Sequence, residues 1–350
     1  MSWQGKILRV NLTTHEITPE ALNMEWAKDY IGERGLGTKY LWENMDPKAD
    51  AMAPDNVLIF ATGPLTGTNA STSGRYAVIT KSPLTGAIAC SNSGGKFGAE
   101  LKYAGFDLLL VEGQSEKPVY LLIEGDEISL APAEKIWGKT VWETDEWIKK
   151  QHHNPMLKIA TIGIAGERGA RYASVVNDLH RAAGRSGVGT VMGSKNLKAV
   201  AVRGTGGVKV KDPKRFMTVT QEMKNLLAEH TGGLTKYGTN AMMDTMQEFG
   251  GLPTRNFQEV QFEGADKVDA KAMMKTDDTG HTNLWTNKAI KADFQNSILD
   301  FRCLSFFLSC GSFGSLTKDT SKGATLILLH VPPSLDGMNG NLLQVNTVLN

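Results

Sequence analysis

Short apolar segments separated by glycine-containing turns fill the amino-terminal part of the chain, and this spacing constrains the fold most strongly. Runs rich in Val, Ile and Leu bounded by turn residues predict strands, at Lys6–Leu12, Asn56–Ala61, Tyr76–Thr80, Asp107–Glu112, Val119–Glu124, Leu157–Ile162 and Lys198–Arg203. Short helices are predicted at Glu25–Ile31, Lys39–Glu43, Lys96–Tyr103 and Val141–Lys150. Because strands and long helices do not alternate, the pattern argues against a doubly wound nucleotide fold and predicts an α+β domain with one large sheet or two.

The pattern becomes helical near residue 210. Asp212 followed by Pro213 is a typical helix start, and helical spacing gives one apolar stripe made of Phe216, Val219, Met223, Leu226 and Leu227. A second helix is predicted over Asn240–Phe249, ended by the glycines that follow it. A β-rich domain is therefore expected to precede a helical one.

Charge and cysteine content exclude several classes of protein. The chain has 38 basic and 37 acidic residues, whereas nucleic-acid binding calls for a strongly basic face. Three cysteines, Cys90, Cys303 and Cys310, argue against a disulfide scaffold and indicate a reducing compartment. The amino terminus lacks a signal-peptide layout, and no apolar run reaches the roughly 20 residues of a membrane-spanning helix. We expect a cytoplasmic protein with neither nucleic-acid nor membrane partners.

Glycine-rich stretches are the candidate binding motifs. Gly32–Gly37 does not have the glycine order of a dinucleotide site, so it is interpreted as a turn. Ser91–Gly95 lies between a strand and a helix, where it is either a phosphate cradle or an ordinary turn. In Asp178–Gly189, Arg181 and Arg185 are spaced to contact phosphate oxygens.

Arg75 lies between two Pro-Leu-Thr-Gly turns and is either an anion contact or a solvated arginine. Gly193-Ser194-Lys195 has the wrong order for a P-loop, and His180 is interpreted as structural. No zinc-site spacing and no hydrolase motif is present in the sequence.

Together, a series of long motifs in one order resembles the tungsten-containing aldehyde:ferredoxin oxidoreductase family, at its amino-terminal domain, over roughly residues 1–260. The motifs are Gly5–Thr13, Gly32–Gly37, Ala61–Thr68, Gly74–Tyr76, Thr80–Gly86, Asn92–Lys102, Ile136–Lys139 and His180–Asn196. The resemblance implies a β-rich pterin-binding domain of two sheets at residues 1–208. The start of a helical domain follows at 209–289.

The family's cofactor is a bis-pterin tungsten or molybdenum centre, in which the protein holds two phosphorylated pterins. The residues that match its cofactor-binding positions are Arg75, Asn92, Ser93, Gly94, Gly95, Arg181, Ala182, Gly184 and Arg185. Asn92 and Ala182 also match positions whose backbone carbonyls bind a magnesium ion that bridges the pterin phosphates. The resemblance assigns no catalytic residue in this chain.

The family oxidises aldehydes to carboxylates and passes electrons through a 4Fe–4S cluster to ferredoxin, so the resemblance implies an aldehyde substrate and a ferredoxin-like partner. The cluster's C-x2-C-x3-C motif is expected after Ala289 and is absent, and three cysteines are too few for four thiolate ligands. No iron–sulfur ligand is therefore assigned. The alternative function is a non-catalytic pterin-binding or partner-interaction module.

Composition changes again after residue 289, since no glutamate follows Glu263 and no helical or strand period is evident. We interpret 290–350 as an aberrant or unstructured tail, of the kind that a shifted reading frame produces. The chain is then expected to be an incomplete, inactive fragment. The choice between tungsten and molybdenum and the oligomeric state stay open, with a homo-oligomer as one option.

Overall fold

The computed structural model describes residues 2–125, 127–255, 257–274, 313–315 and 327–329. The chain divides into two compact units, Met1–Gln221 and Glu222–Asn350. Most of the predicted tail, 290–350, lies outside the described residues. The predicted domain boundaries at 208 and 289 stay predictions.

The first sheet has six strands in the order β2-β1-β6-β3-β4-β5. Only β1 and β6 are parallel; the other neighbours pair antiparallel. The strands are β1 (Lys6–Asn11), β2 (Glu16–Ala21), β3 (Leu58–Thr62), β4 (Tyr76–Lys81), β5 (Ile88–Ser93) and β6 (Leu108–Glu112). In the β4–β5 ladder, Tyr76 pairs with Ser93. Arg75, which precedes β4, therefore lies at the same end of the sheet as the last residues of β5.

The second sheet also has six strands, in the order β11-β10-β9-β12-β7-β8. Here β7 and β12 are parallel, and the remaining neighbours are antiparallel. Its strands are β7 (Val119–Glu124), β8 (Glu127–Pro132), β9 (Lys158–Thr161), β10 (Val175–Asn177), β11 (Arg181–Ala183) and β12 (Leu197–Arg203). The β10–β11 hairpin forms one edge of this sheet.

Helices lie between the strands and then replace them. In the first unit they are α1 (Met24–Tyr30), α2 (Glu33–Asn44), α3 (Phe97–Tyr103), α4 (Val141–Gln151), α5 (Ile164–Glu167) and α6 (Val188–Ser194). Then come α7 (Pro213–His230), α8 (Gly232–Tyr237), a 3-10 helix (Gly238–Met242), α9 (Met243–Glu248), α10 (Ala265–Val268) and α11 (Ala270–Met274). Two short strands, β13 (Phe313–Ser315) and β14 (Ile327–Leu329), pair antiparallel. Among the described residues, no helix combines the length and apolarity needed to cross a membrane.

Alternation along each strand divides the core into layers, because successive side chains point to opposite faces of a sheet. Leu8 and Phe60 of the first sheet share the central cluster with Leu121 and Val200 of the second, together with residues of α3 and α6. Ile59 and its neighbours on the opposite face pack with α1 and α2. The outer face of the second sheet packs similarly with α4.

The predicted α+β class is confirmed: two six-stranded sheets precede a helical region. Every strand predicted from an apolar run is present. The helix predicted from Lys39 begins instead at Glu33. The helix predicted over Asn240–Phe249 divides into the 3-10 helix and α9.

Candidate anion-binding site

Two predicted binding stretches that are distant in sequence meet where the ends of β4 and β5 adjoin the β10–β11 hairpin. The Ser93 hydroxyl, at the end of β5, donates to Asn177 Oδ1 over 2.7 Å. The Arg185 backbone N–H, after β11, donates to Ser91 Oγ over 2.9 Å. The fold therefore brings the Ser91–Gly95 stretch and the arginine-rich stretch into one place.

Asn177 is the centre of this junction and is 1% exposed. Its Oδ1 accepts from the Tyr76 hydroxyl at 2.9 Å as well as from Ser93, and its Nδ2 donates to the Gly94 carbonyl at 2.9 Å. Nδ2 also donates to Asp178 Oδ2 at 2.7 Å. Burial raises the pKa of the Tyr76 phenol, which stays a neutral donor. One side chain thus joins β4, β5 and the glycine loop to β10.

Asp178 closes the glycine loop from the other side. Its Oδ2 accepts from the Lys96 backbone N–H at 2.7 Å. Gly95 has φ +87°, and a Cβ there would overlap the Asp178 carboxylate. The backbone amide that precedes α3 therefore already donates to a carboxylate of the protein, and α3 has only seven residues. This contact does not fit the interpretation that the start of α3 attracts a ligand phosphate.

The glycines next to that closure leave the backbone approachable. Gly94 is buried, yet a Cβ built on it would meet no described atom within 4 Å beyond its chain neighbours. For Gly184 the nearest atom would be the Ala182 Cβ, at 3.9 Å. A bound group could therefore lie against the peptide at both positions without displacing a side chain.

Three arginines supply positive charge near these glycines. Arg75 is half-buried, Arg181 is 6% exposed and Arg185 is exposed. Thr66 Oγ1 donates to the Arg75 backbone carbonyl at 3.0 Å, so the first Pro-Leu-Thr-Gly turn supports Arg75. The second Pro-Leu-Thr-Gly turn contacts the arginine-rich stretch Asp178–Gly189, since Ser82 Oγ donates to the Ser186 carbonyl at 2.8 Å. Guanidinium groups beside accessible backbone suit a phosphorylated ligand.

Glu33 belongs to the same neighbourhood and was not predicted from the sequence. Its carboxylate accepts a hydrogen bond from Asn92 Nδ2, and Asn92 Oδ1 in turn accepts from Arg75 Nη1. Burial raises the pKa of the Glu33 carboxyl, while the charges of Arg75 and Arg34 act in the opposite direction. The available signal was an acidic residue within the glycine motif.

The Gly32–Gly37 motif itself has a packing role, and its interpretation as a turn is wrong because most of it lies inside α2. A Cβ at Gly32 would lie 2.8 Å from Pro64 Cδ. A Cβ at Gly37 would lie 2.5 Å from Ile79 Cδ1 of β4. The glycines let α2 approach the first sheet closely enough to place Glu33 beside Asn92.

The described residues contain no group of three or more His, Cys, Asp and Glu side chains that could hold a metal ion. Cys90 on β5 is a half-buried free thiol whose pKa burial raises. Cys303 and Cys310 lie outside the described residues. The expected magnesium contacts of Asn92 and Ala182 use backbone carbonyls and stay a prediction, as do the cofactor-binding roles assigned to the other residues.

Comparison with known proteins gives two family matches. Residues 7–204 match the model of the aldehyde ferredoxin oxidoreductase N-terminal domain, and residues 218–286 match the model of domains 2 and 3 of the same enzymes.

Individual relatives agree with the family matches. The chain is 53% identical over 272 residues to a tungsten-containing aldehyde ferredoxin oxidoreductase of Pyrococcus abyssi, covering 77% of this chain and 45% of the relative. It is 33% identical over 276 residues to an aliphatic sulfonate oxidoreductase, WOR-like subunit, of Pyrococcus furiosus, covering 74% of this chain and 44% of that protein. The active-site complex BamBC of benzoyl coenzyme A reductase superposes with a TM-score of 0.64 at 38% identity, covering 65% of this chain and 35% of that one. The chain thus spans less than half the length of these relatives.

Proposed function

Because the chain belongs to the aldehyde ferredoxin oxidoreductase family, we propose that it provides the pterin-binding part of an oxidoreductase that converts aldehydes to carboxylates. The cofactor would be a tungsten or molybdenum bis-pterin. Electrons would pass to a ferredoxin-like carrier, and the site of function would be the cytoplasm.

The observation that carries this proposal is the junction of the two binding stretches around Asn177. Arg75 donates to Asn92, the Arg185 backbone donates to Ser91, and Arg181 pairs with Asn177 across the β10–β11 hairpin. The accessible glycines, Gly94 and Gly184, belong to the same two stretches, which are far apart in the sequence. Phosphorylated pterins present anionic groups that need charged donors and close backbone approach. The residues present fit such a group.

Within this site, Arg75, Arg181 and Arg185 would bind phosphate oxygens, and Gly94 and Gly184 would allow the ligand to lie against the backbone. Asn92, Ser93, Gly95 and Ala182 complete the proposed cofactor-binding set, with magnesium at the carbonyls of Asn92 and Ala182. When bound, the metallopterin would supply the two-electron redox chemistry. The chain's own residues would hold and orient it, with Arg181 doing so from a nearly buried position.

The test compares Arg75→Ala and Arg181→Ala with the parent and with Arg215→Ala, which removes an exposed arginine of α7. Each site variant removes a charge-assisted contact worth about 1.5–3 kcal/mol, so affinity for the pterin should fall by roughly tenfold or more. Pterin and tungsten or molybdenum per purified chain should then be lower than in the parent. The control should match the parent. Unchanged cofactor content in both site variants would show that these arginines do not bind the pterin phosphates.

A turnover assay with aldehyde and an artificial electron acceptor shows whether this chain is itself catalytic. Oxidation that depends on bound metallopterin supports the enzyme and contradicts the expectation of an inactive fragment. Cofactor retention without any oxidation agrees with the inactive fragment and with the non-catalytic pterin-binding module.

A further inference from the structure

Glu33, Asn92 and Arg75 form a continuous chain of side-chain hydrogen bonds. Asn92 Nδ2 donates to the Glu33 carboxylate, and Asn92 Oδ1 accepts from Arg75 Nη1. The three residues come from different elements, since Glu33 begins α2, Arg75 precedes β4 and Asn92 lies in β5. This series of hydrogen bonds therefore connects α2 to β4 and β5 at the end of the sheet where the anion site lies.

The chemistry of the two outer residues allows only one orientation of Asn92. An ionised carboxylate can only accept hydrogen bonds, and a guanidinium can only donate them. The Asn92 amide must therefore direct its NH2 group toward Glu33 and its oxygen toward Arg75. Without the carboxylate, the hydrogen bond from Arg75 alone holds the amide in this orientation.

The backbone of Glu33 supports a functional interpretation. Its φ of 43° lies in the left-handed region that residues other than glycine seldom adopt. Gly32 before it packs closely on the turn containing Pro64, which fixes the start of α2 against that turn. Glu33 thus combines a strained backbone with a half-buried carboxylate close to Arg75, and such strain is typical of functional sites.

We propose that Glu33 is a positioning residue of the anion site, which holds the Arg75 guanidinium ready for a phosphate group through the Asn92 amide. The inference rests on the proposed function for the identity of the anion. It adds a residue that the family resemblance did not assign, and it gives Asn92 a side-chain role distinct from its expected backbone contact with magnesium.

The first measurement follows the Asn92 amide directly in the full chain, with 15N-asparagine labelling and assignment by the signal lost in Asn92→Ala. In Glu33→Ala, exchange of the Asn92 side-chain NH2 with water should accelerate by about tenfold or more, the factor that corresponds to a hydrogen bond to a charged group of about 1.5 kcal/mol or more. Glu33→Gln keeps an acceptor oxygen and should retain slow exchange. Glu43→Ala removes another carboxylate of α2, which pairs with Lys39, and should leave the signal unchanged.

The second measurement titrates each variant with inorganic pyrophosphate. Glu33→Ala should bind about fivefold more weakly than Glu33→Gln, because both variants lose the negative charge and only the glutamine keeps the hydrogen bond to Asn92. Glu33→Gln should bind at least as tightly as the parent, because it retains the hydrogen bond and loses a negative charge close to the ligand.

Two results would overturn the proposal: an Asn92 signal that is the same in the parent and in Glu33→Ala, or equal pyrophosphate affinity of the alanine and glutamine variants. Failure of the proposed function looks different. A parent chain that binds neither pyrophosphate nor pterin refutes the anion site, while the exchange rates still decide whether Glu33 orients Asn92.

Discussion

Replacing Asn177 by alanine should destabilise the first unit by about 2–6 kcal/mol. The substitution removes the acceptor of two hydroxyls, those of Tyr76 and Ser93, and both side chains are 0% exposed. A buried donor left without a partner costs about 1–3 kcal/mol, and two are created here. The Gly94 carbonyl loses its hydrogen bond from Asn177 as well, so the total loss of stability should exceed about 2 kcal/mol.

Urea unfolding followed by tryptophan fluorescence measures this loss, because Trp26, Trp137 and Trp147 lie in the same unit. The diagnostic variant is Tyr76→Phe, made in the parent and in Asn177→Ala. It should cost about 1 kcal/mol in the parent and less in the second background, where the hydroxyl has lost Asn177 and has only the Ser93 hydroxyl beside it. Equal costs in the two backgrounds, or a loss below about 1 kcal/mol for Asn177→Ala, would refute the reasoning.

A control and two further predictions complete the set. Asn69→Ala, at an exposed position of the same unit, should change the free energy of unfolding by less than about 0.5 kcal/mol. Gly95→Ala should cost clearly more than Gly86→Ala in urea unfolding, because both have positive φ but only a Cβ at Gly95 would overlap the Asp178 carboxylate; equal costs would contradict this packing argument. Burial lowers the pKa of Lys195 from 10.5 to about 8, so the unfolded chain binds its proton more tightly and this residue's contribution to stability should rise from pH 8 to pH 10. Lys195→Met should reduce that rise in unfolding midpoints measured at the two pH values, and an identical rise in both proteins would contradict the assignment.

The strands that the sequence predicted share one property, which is burial in the sheet interior. Leu58–Thr62 and Leu108–Glu112 are nearly continuous apolar runs because they are covered on both faces. The missed strands Glu16–Ala21 and Glu127–Pro132 lie at sheet edges and are mostly polar or partly exposed. Their pairing partners, β1 and β7, stabilise them, and a local pattern does not contain that information.

The start of helix α2 was also missed, because its local sequence disfavours a helix. Gly35 and Gly37 lower helix propensity, so the local signal favoured a turn. In the structure these glycines permit close approach, since a Cβ at Gly35 would lie 2.5 Å from the Tyr30 carbonyl. Tertiary packing thus outweighs propensity, and it also places Glu33 at the site.

The sequence by itself determined the fold class, the positions of most interior strands and the positions of the glycine-rich stretches, because apolar periodicity, turn chemistry and long ordered motifs are local properties. The tertiary structure alone decided that Asn177 joins these stretches, that Asp178 occupies the amide before α3 and that Glu33 contacts Asn92. Each of these contacts depends on the three-dimensional arrangement of turns and strand pairs. A hydrogen bond needs two groups within about 3 Å, and when those groups are far apart in the chain only the packed fold brings them together.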